Sequence, residues 1–447
     1  MNPAPKRASE STASDISTRT IRKIRNCLMP LLFVSYVVAF LDRTNIGFAA
    51  LTMNADLAIT STQFGLVTGI FFWGYFLFEI PSNLIMHKIG ARIWIARILI
   101  SWGIVAMLTG AVHTVPQLYL ARFLLGVAEA GFAPGIFLYL SYWFPRREQA
   151  QVIALFMTAI PASSILGAPV SGFILDHVHW LAIGSWRWLL ILEGLPAIVC
   201  GALTYFLLPR RPAEAAFLTR DEKSWIAAEL AREEREKTSQ HSGSALRALA
   251  HPRVWRLALI SFTFQLGGYP LYFYMPQAVK SLSRLYSNTL VGILVMVPYF
   301  AGLIAMILVS RSSDRRLERR YHLAIPAIGA GMALMLLGTT GSPVLSIMLW
   351  SFAAMGISSF NGPFFALPNE FLAGASAASG IALVTSVGSL GGFVGPSVIG
   401  AVANGAGGIY RGLALAGVSL LVSATLSLLL PEEGGKSLAA AAGRHFG

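Results

Sequence analysis

Long apolar runs separated by short polar breaks organise this chain. Twelve of them can be marked, near residues 28–50, 64–86, 93–113, 117–140, 150–175, 187–208, 256–279, 288–310, 322–340, 343–366, 376–403 and 409–430. Each approaches or exceeds the roughly 20 residues that a helix needs to cross a bilayer core. The pattern predicts an all-α membrane protein with twelve transmembrane helices. Glycine and proline recur inside the runs, as bilayer helices tolerate when neighbours satisfy the freed backbone groups. Composition agrees: of 447 residues 55% are hydrophobic and 12% charged, and the mean hydropathy is +0.63. That is too little charge to cover a soluble protein of this size.

The net charge of +13 is unevenly distributed. Lys6, Arg7, Arg19, Arg22, Lys23 and Arg25 precede the first run, the connection 209–255 is dense in charge, and "SRSSDRRLERR" (310–320) carries five arginines. The alternate loops hold only Arg187, Lys280, Arg284 and Arg411. The positive-inside rule therefore places both termini and the central connection in the cytoplasm of a multi-pass membrane protein, and the location expected for it is the plasma membrane, a bacterial inner membrane. The basic excess is a topology signal and implies no nucleic-acid partner. No cleavage site precedes the first run, so no removable signal peptide is read. The two cysteines, Cys27 and Cys200, offer neither a disulfide framework nor metal spacing.

The twelve runs divide into two sets of six. His87-Lys88 matches Asp314-Arg315, Pro116 matches Pro343 and Pro169 matches Pro396, all at one and the same offset along the chain. A repeated offset implies duplicated halves in the same orientation, related by an axis along the membrane normal, with a central cavity between them. The expected domains are a tail (1–26), a first bundle (27–208), a linker (209–255), a second bundle (256–430) and a tail (431–447). Within the linker, "LTRDEKSWIAAELAREEREK" (218–237) suggests a helix; the linker as a whole is read as a solvated charged tether.

Several motifs resemble the major facilitator superfamily. The loop "SSDRRLERR" is similar to its cytoplasmic loop signature, with a degenerate first copy in "NLIMHKIGARIW" (83–94). "RFLLGVAEAGFAPG" (122–135) resembles its fourth-helix signature and "GAPVSG" its fifth-helix Gly-Pro motif. More narrowly, "FLDRTNIGFAAL", "RFLLGVAEAGFAPG", "WRWLLILEGLPA" and "LGGFVGP" resemble the anion:cation symporter family, which includes tartrate, galactonate, phthalate and 4-hydroxyphenylacetate permeases. The resemblance spans essentially the whole chain and implies a transporter in which helices 1 and 4 line the cavity.

Charges buried in the runs then become candidates. Asp42 lies about 21 Å along the first helix; Arg122 and Glu129 lie about 8 and 18 Å along the fourth, which runs the other way. Seven residues apart, Arg122 and Glu129 share a face. Asp42, Arg43, Arg122 and Glu129 would form a nearly neutral cluster, and their counterparts at the repeat offset (Tyr269, Pro270, Leu349, Gly356) carry no charge. An asymmetric device of this kind points to function: Arg43 and Arg122 binding a substrate carboxylate, Asp42 and Glu129 carrying protons. The alternative is two structural ion pairs. Adjacent residues lie about 100° apart on a helix, so Asp42 and Arg43 cannot both face one point squarely.

Further substrate contacts are expected from Tyr36, Tyr75, Gln265, Tyr269, Tyr272, Ser359 and Asn361, and from Thr385 and Ser389, which stand where relatives commonly carry amides. Glu79, within reach of Lys88 and Arg92, is expected to gate or brace the fold, as are Glu193, Asp314 and Arg315. The only Gly-Lys-Ser, at 435–437, has Leu430 in place of the first P-loop glycine, which excludes an ATP-driven pump on this chain. No nucleophile–base or metal arrangement marks an enzyme. The reading is proton-coupled import of an organic anion (a tartrate-like diacid, sugar acid or aromatic acid) by alternating access. The proton is the coupling ion, no cofactor is expected, and the partners are the anion and lipid around a monomer. A non-transporting anion sensor and a proton-independent facilitator or exchanger stay open as alternatives.

Overall fold

The computed structural model describes residues 5–240, 251–316, 318–368, 374–405 and 408–430. The tail expected over 431–447 and the linker segment 241–250 lie outside the described residues. All regular structure among the described residues is helical. The first half comprises α1 (Pro5–Asp56), α2 (Ser61–Ile89), α3 (Ala91–Thr109), α4 (Val115–Glu129), α5 (Phe132–Ser141), α6 (Arg146–Met157), α7 (Ala159–His177) and α8 (Ser185–Leu207). The linker helix α9 (Arg220–Gln240) follows. The second half is α10 (Pro252–Ser281), α11 (Asn288–Arg316), α12 (Arg320–Leu336), α13 (Pro343–Ala366), α14 (Gly374–Ala403) and α15 (Gly408–Leu428). Helices α4 with α5, and α6 with α7, each make one span, giving two sets of six.

Eleven of these spans are long and apolar enough to cross a membrane on composition alone. The twelfth, α10, carries Gln265, Tyr269, Tyr272, Tyr274 and Gln277 and packs against helices of both halves, α1, α11, α13, α14 and α15. Beyond its exposed first turns (Trp255, Leu259) neighbouring helices cover it, so its sequence need not be uniformly apolar. Elsewhere the outward surface is greasy: Phe206, Leu207, Leu84, Leu108 and Leu120 are all exposed. That apolar surface suits a bilayer and would be costly in water.

The two halves repeat their packing. In the first, α3 pairs with α8, α2 with α4, and α1 with α7; in the second, α12 pairs with α15, α11 with α13, and α10 with α14. Between halves α2 packs on α14 and α7 on α11. Both crossings depend on glycine. A Cβ at Gly65 would strike the Pro396 carbonyl, and one at Gly292 the Ala168 carbonyl beside Pro169. Gly65 and Gly292 are themselves separated by the repeat offset, as are Pro169 and Pro396. Asp176 closes the second crossing by accepting from the amides of Asn288 (3.1 Å) and Thr289 (2.7 Å).

The linker differs from a solvated tether. Helix α9 docks on α1 because Glu222, buried on its inner face, meets Arg19 (3.0 Å) and Lys23 (2.8 Å), while Ile226 is buried one turn further on. The Glu233 carboxylate accepts from the Arg146 amide at 3.0 Å and ties the far end of α9 to α6. Burial opposes the charge of Glu222. The Lys23 and Thr219 hydrogen bonds and the charges of Lys23 and Arg19 outweigh it, and its pKa lies below the usual carboxylate value.

Candidate functional site

The site begins where the fourth span breaks. Pro134 has no N–H to give the carbonyl four residues earlier, and Gly131 takes a left-handed conformation at φ +84°. The Ala130 carbonyl freed in this way accepts from the Ser82 hydroxyl at 2.6 Å, and Ser82 in turn accepts from the Trp94 indole at 2.9 Å. Glu129 is the last residue of α4 before this break, held against α1 and α2.

There it forms an ion pair with Arg43, whose side chain is 14% exposed against 3% for Glu129. Aromatic rings surround the guanidinium: its carbon lies 5.2 Å from the ring centre of Phe71 and 5.4 Å from those of Tyr75 and Phe40. Arg122, 1% exposed, lies against the other flank of the site, 5.3 Å from the same Phe71 ring. No carboxylate lies within ion-pair distance of Arg122 among the described residues. Its Nε and Nη2, and the Nε of Arg43, are buried without a hydrogen-bond partner.

Asp42 turns away from this cluster. One oxygen accepts from the Trp102 indole of α3 at 2.7 Å and the other from the Asn45 amide at 3.2 Å. The four-charge cluster expected from sequence is therefore split: one ion pair, one cation without an anion, and one carboxylate held by neutral donors. The reason is the helical rotation between neighbours, which sends residue 42 toward α3 when residue 43 faces α4.

The tyrosines do gather near Arg43, whose pairing environment includes Tyr36, Tyr75 and Tyr269. Tyr269 packs 4.4 Å from Phe72 across the halves, Tyr272 lies 5.7 Å from Phe40, and Tyr36 stacks 4.2 Å from Phe156. Gln265 lies along α14 near Gly388. The helix-bound hydroxyls turn inward on their own backbones: Ser359 donates to the Met355 carbonyl (2.7 Å), Thr385 to that of Ile381 (3.0 Å) and Ser389 to that of Thr385 (3.0 Å). Asn361 is half-buried on α13.

Glu79 does not meet Lys88 or Arg92. It accepts from Ser386 of α14 at 3.2 Å and so bridges the halves. Gly90, at φ +96°, turns α2 into α3, and Arg92 beyond it donates to the Leu208 carbonyl at 3.3 Å while Lys88 stays exposed. Glu193 is buried on α8, where Ser171 donates to it at 2.6 Å. Asp314 pairs with Arg319 at 2.5 Å, and Arg315 is exposed. Trp102, Asn45, Ser82, Ser171 and Ser386 were not singled out by sequence. Apolar or small and neutral, they give no signal until the helices bring them to a carboxylate or a freed carbonyl.

The sequence profile of the Major Facilitator Superfamily matches residues 32–396. An Agrobacterium vitis protein named "Putative tartrate transporter" is 44% identical over 95% of this chain and 98% of its own. A Pseudomonas putida protein named "Putative metabolite transport protein NicT" is 39% identical over 92% of this chain and 94% of its own. Among solved structures, a D-xylose-proton symporter superposes with a TM-score of 0.74 over 91% of this chain and 98% of that one, at 15% identity, a likeness of fold alone.

Proposed function

This chain belongs to the Major Facilitator Superfamily, a membrane-spanning transporter and not an enzyme, and from that premise we propose that it imports a small carboxylate anion together with protons. The observation that carries this reading is the set of buried guanidinium nitrogens without acceptors on Arg43 and Arg122. A buried donor left unsatisfied costs about 1–3 kcal/mol, and more when charged, so the site is energetically incomplete without an oxyanion. A carboxylate fits both arginines, whose planar forks match its two oxygens.

Coupling follows from charge. A substrate carboxylate at Arg43 competes with Glu129, the residue that Arg43 now holds. A buried carboxylate stripped of its cation is destabilised by about 3–5 kcal/mol and takes up a proton instead. Anion arrival and protonation of Glu129 thus favour one another, and release of the anion on the far side returns Glu129 to Arg43. Asp42 is the second proton carrier. Tyr36, Tyr75, Gln265, Tyr269, Tyr272, Ser359, Asn361, Thr385 and Ser389 are proposed to shape the remainder of the substrate site, with Glu79 and Glu193 in gating or bracing roles. The name and similarity of the Agrobacterium vitis relative favour a tartrate-like diacid. The protein acts as a monomer in the bacterial inner membrane, with the basic end, bearing α9, in the cytoplasm.

The test is reconstitution in liposomes containing a pH-sensitive dye. Adding tartrate is expected to drive protons inward with the anion. Glu129→Gln should keep anion exchange but lose proton-driven accumulation, and Arg43→Lys should weaken binding about tenfold or more, as loss of about 1.4 kcal/mol requires. Anion transport without proton movement would remove symport from the reading.

A further inference from the structure

Where α1, α6 and α9 meet at the basic end of the molecule they enclose a cleft of about 720 Å³. That volume falls within the roughly 300–1,000 Å³ of small-ligand sites. The cleft is remote from the transport site, since its Arg25 lies about 27 Å along α1 from Arg43. Two helical faces form its walls. Thr18, Arg22 and Arg25 of α1 and Trp225, Glu229 and Arg232 of α9 follow one spacing, four residues and then three. That spacing puts each set on a single side of its helix. Arg147, the second residue of α6, closes the end.

Charge decides what can fill the cleft. Four arginines face two carboxylates, Glu148 and Glu229. Arg232 pairs with Glu229 at 2.8 Å, and Arg147 donates to the Ser17 hydroxyl at 2.8 Å with Glu148 3.6 Å away. Arg22 and Arg25 have no carboxylate within ion-pair distance among the described residues. These two cations stand about one helical turn apart and repel one another until an anion comes between them. Guanidinium forks match phosphate oxygens, and a phosphate has enough oxygens for both.

Depth narrows the source of that phosphate. Arg25 and Arg22 precede Leu28, where the apolar run begins, by about 5 and 9 Å. The headgroup layer beyond the hydrocarbon core is about 5–8 Å thick. The pair thus straddles the level at which lipid phosphates lie. Trp225 is half-buried beside them, a residue type enriched at that level. Basic pockets between helices at a membrane face suit anionic headgroups.

We propose that this cleft binds the phosphate of an anionic phospholipid between Arg22 and Arg25, and that the bound lipid clamps α9 to the first half. The site is separate from the transport site and does not depend on what is carried.

Native mass spectrometry of the full chain in detergent, titrated with phosphatidylglycerol, reads the site. The wild type is expected to bind phosphatidylglycerol in preference to phosphatidylcholine, and R22Q/R25Q to bind it about thirtyfold more weakly. Arg22 is exposed and Arg25 half-buried, so the double variant should fold. R311Q/R316Q removes the same charge from exposed positions of α11 at the basic end and should leave binding unchanged. Equal weakening in both variants, or no preference for phosphatidylglycerol, overturns the site. Inorganic phosphate and glycerol 3-phosphate form the soluble arm; their binding without that of phosphatidylglycerol overturns the lipid assignment. Hydrogen exchange across α9 should slow when phosphatidylglycerol is added to the wild type but not to R22Q/R25Q. Exchange that stays unchanged in the wild type overturns the clamp.

Discussion

Ser82 holds the end of α4 in place through a single hydroxyl. Its bond to the Ala130 carbonyl replaces the one that Pro134 removes, and Glu129 sits one residue before that carbonyl. Ser82→Ala is expected to cost about 1–3 kcal/mol, the usual cost of an orphaned buried acceptor. A lowered unfolding temperature in detergent, together with weaker anion binding, would report it; an unchanged protein would mean that the break is held by packing alone. The proline and glycine of "EAGFAPG" are visible in the sequence, yet the run reads as one continuous helix because its apolar pattern continues across them. The charges were likewise legible, and seven-residue spacing rightly gave Arg122 and Glu129 a common face. Their partners were not legible: Trp102 comes from a helix 60 residues away in sequence, and nothing in its apolar neighbourhood marks it as the donor to Asp42.

Among the elements, α9 departs furthest from its sequence expectation. A charge-rich run reads as solvated, and among the described residues its inward side rests on the buried Glu222 and Ile226, with Trp225 and Leu230 half-buried against the core. Because the pKa of Glu222 is depressed on docking, its contribution is fully present above the ordinary value of 4.5 and is lost as pH falls through the lower, docked value. A spin label at the exposed Ala227 should therefore gain mobility on acidification below about 4.5, and Glu222→Gln should reproduce that gain at neutral pH. A label as restrained in the variant as in the wild type would show that Ile226 and its neighbours suffice. Helix α10 teaches the complementary lesson. Its tyrosines and glutamine were legible as candidates, but its weak hydropathy has a packing cause, contact with both halves, that no single-helix pattern can express.

For the whole molecule, the constant offset between matching motifs anticipates two halves, and the helix pairings repeat accordingly. A period cannot say which end is shut; that is written in close approaches such as Gly65 to Pro396 and Gly292 to Ala168. Gly65→Val should wedge this crossing at a cost of about 1–3 kcal/mol, as overpacking typically does. Spin labels on α2 and α14 at that end are expected to move apart, and Gly292→Val should separate α7 from α11 in the same way. Unaltered distances in both variants would mean that the halves are held shut elsewhere.

Each half carries both parts of this contact: the first has the glycine of α2 and the proline-side carbonyl of α7, the second their counterparts in α11 and α14. A six-helix unit of that kind is self-complementary, able to pair face to face with its own copy as an isologous dimer does. The buried charges break that correspondence: at the repeat offset from Asp42, Arg43, Arg122 and Glu129 stand Tyr269, Pro270, Leu349 and Gly356. The seam is built alike from both halves, whereas the charged cluster belongs to the first half alone.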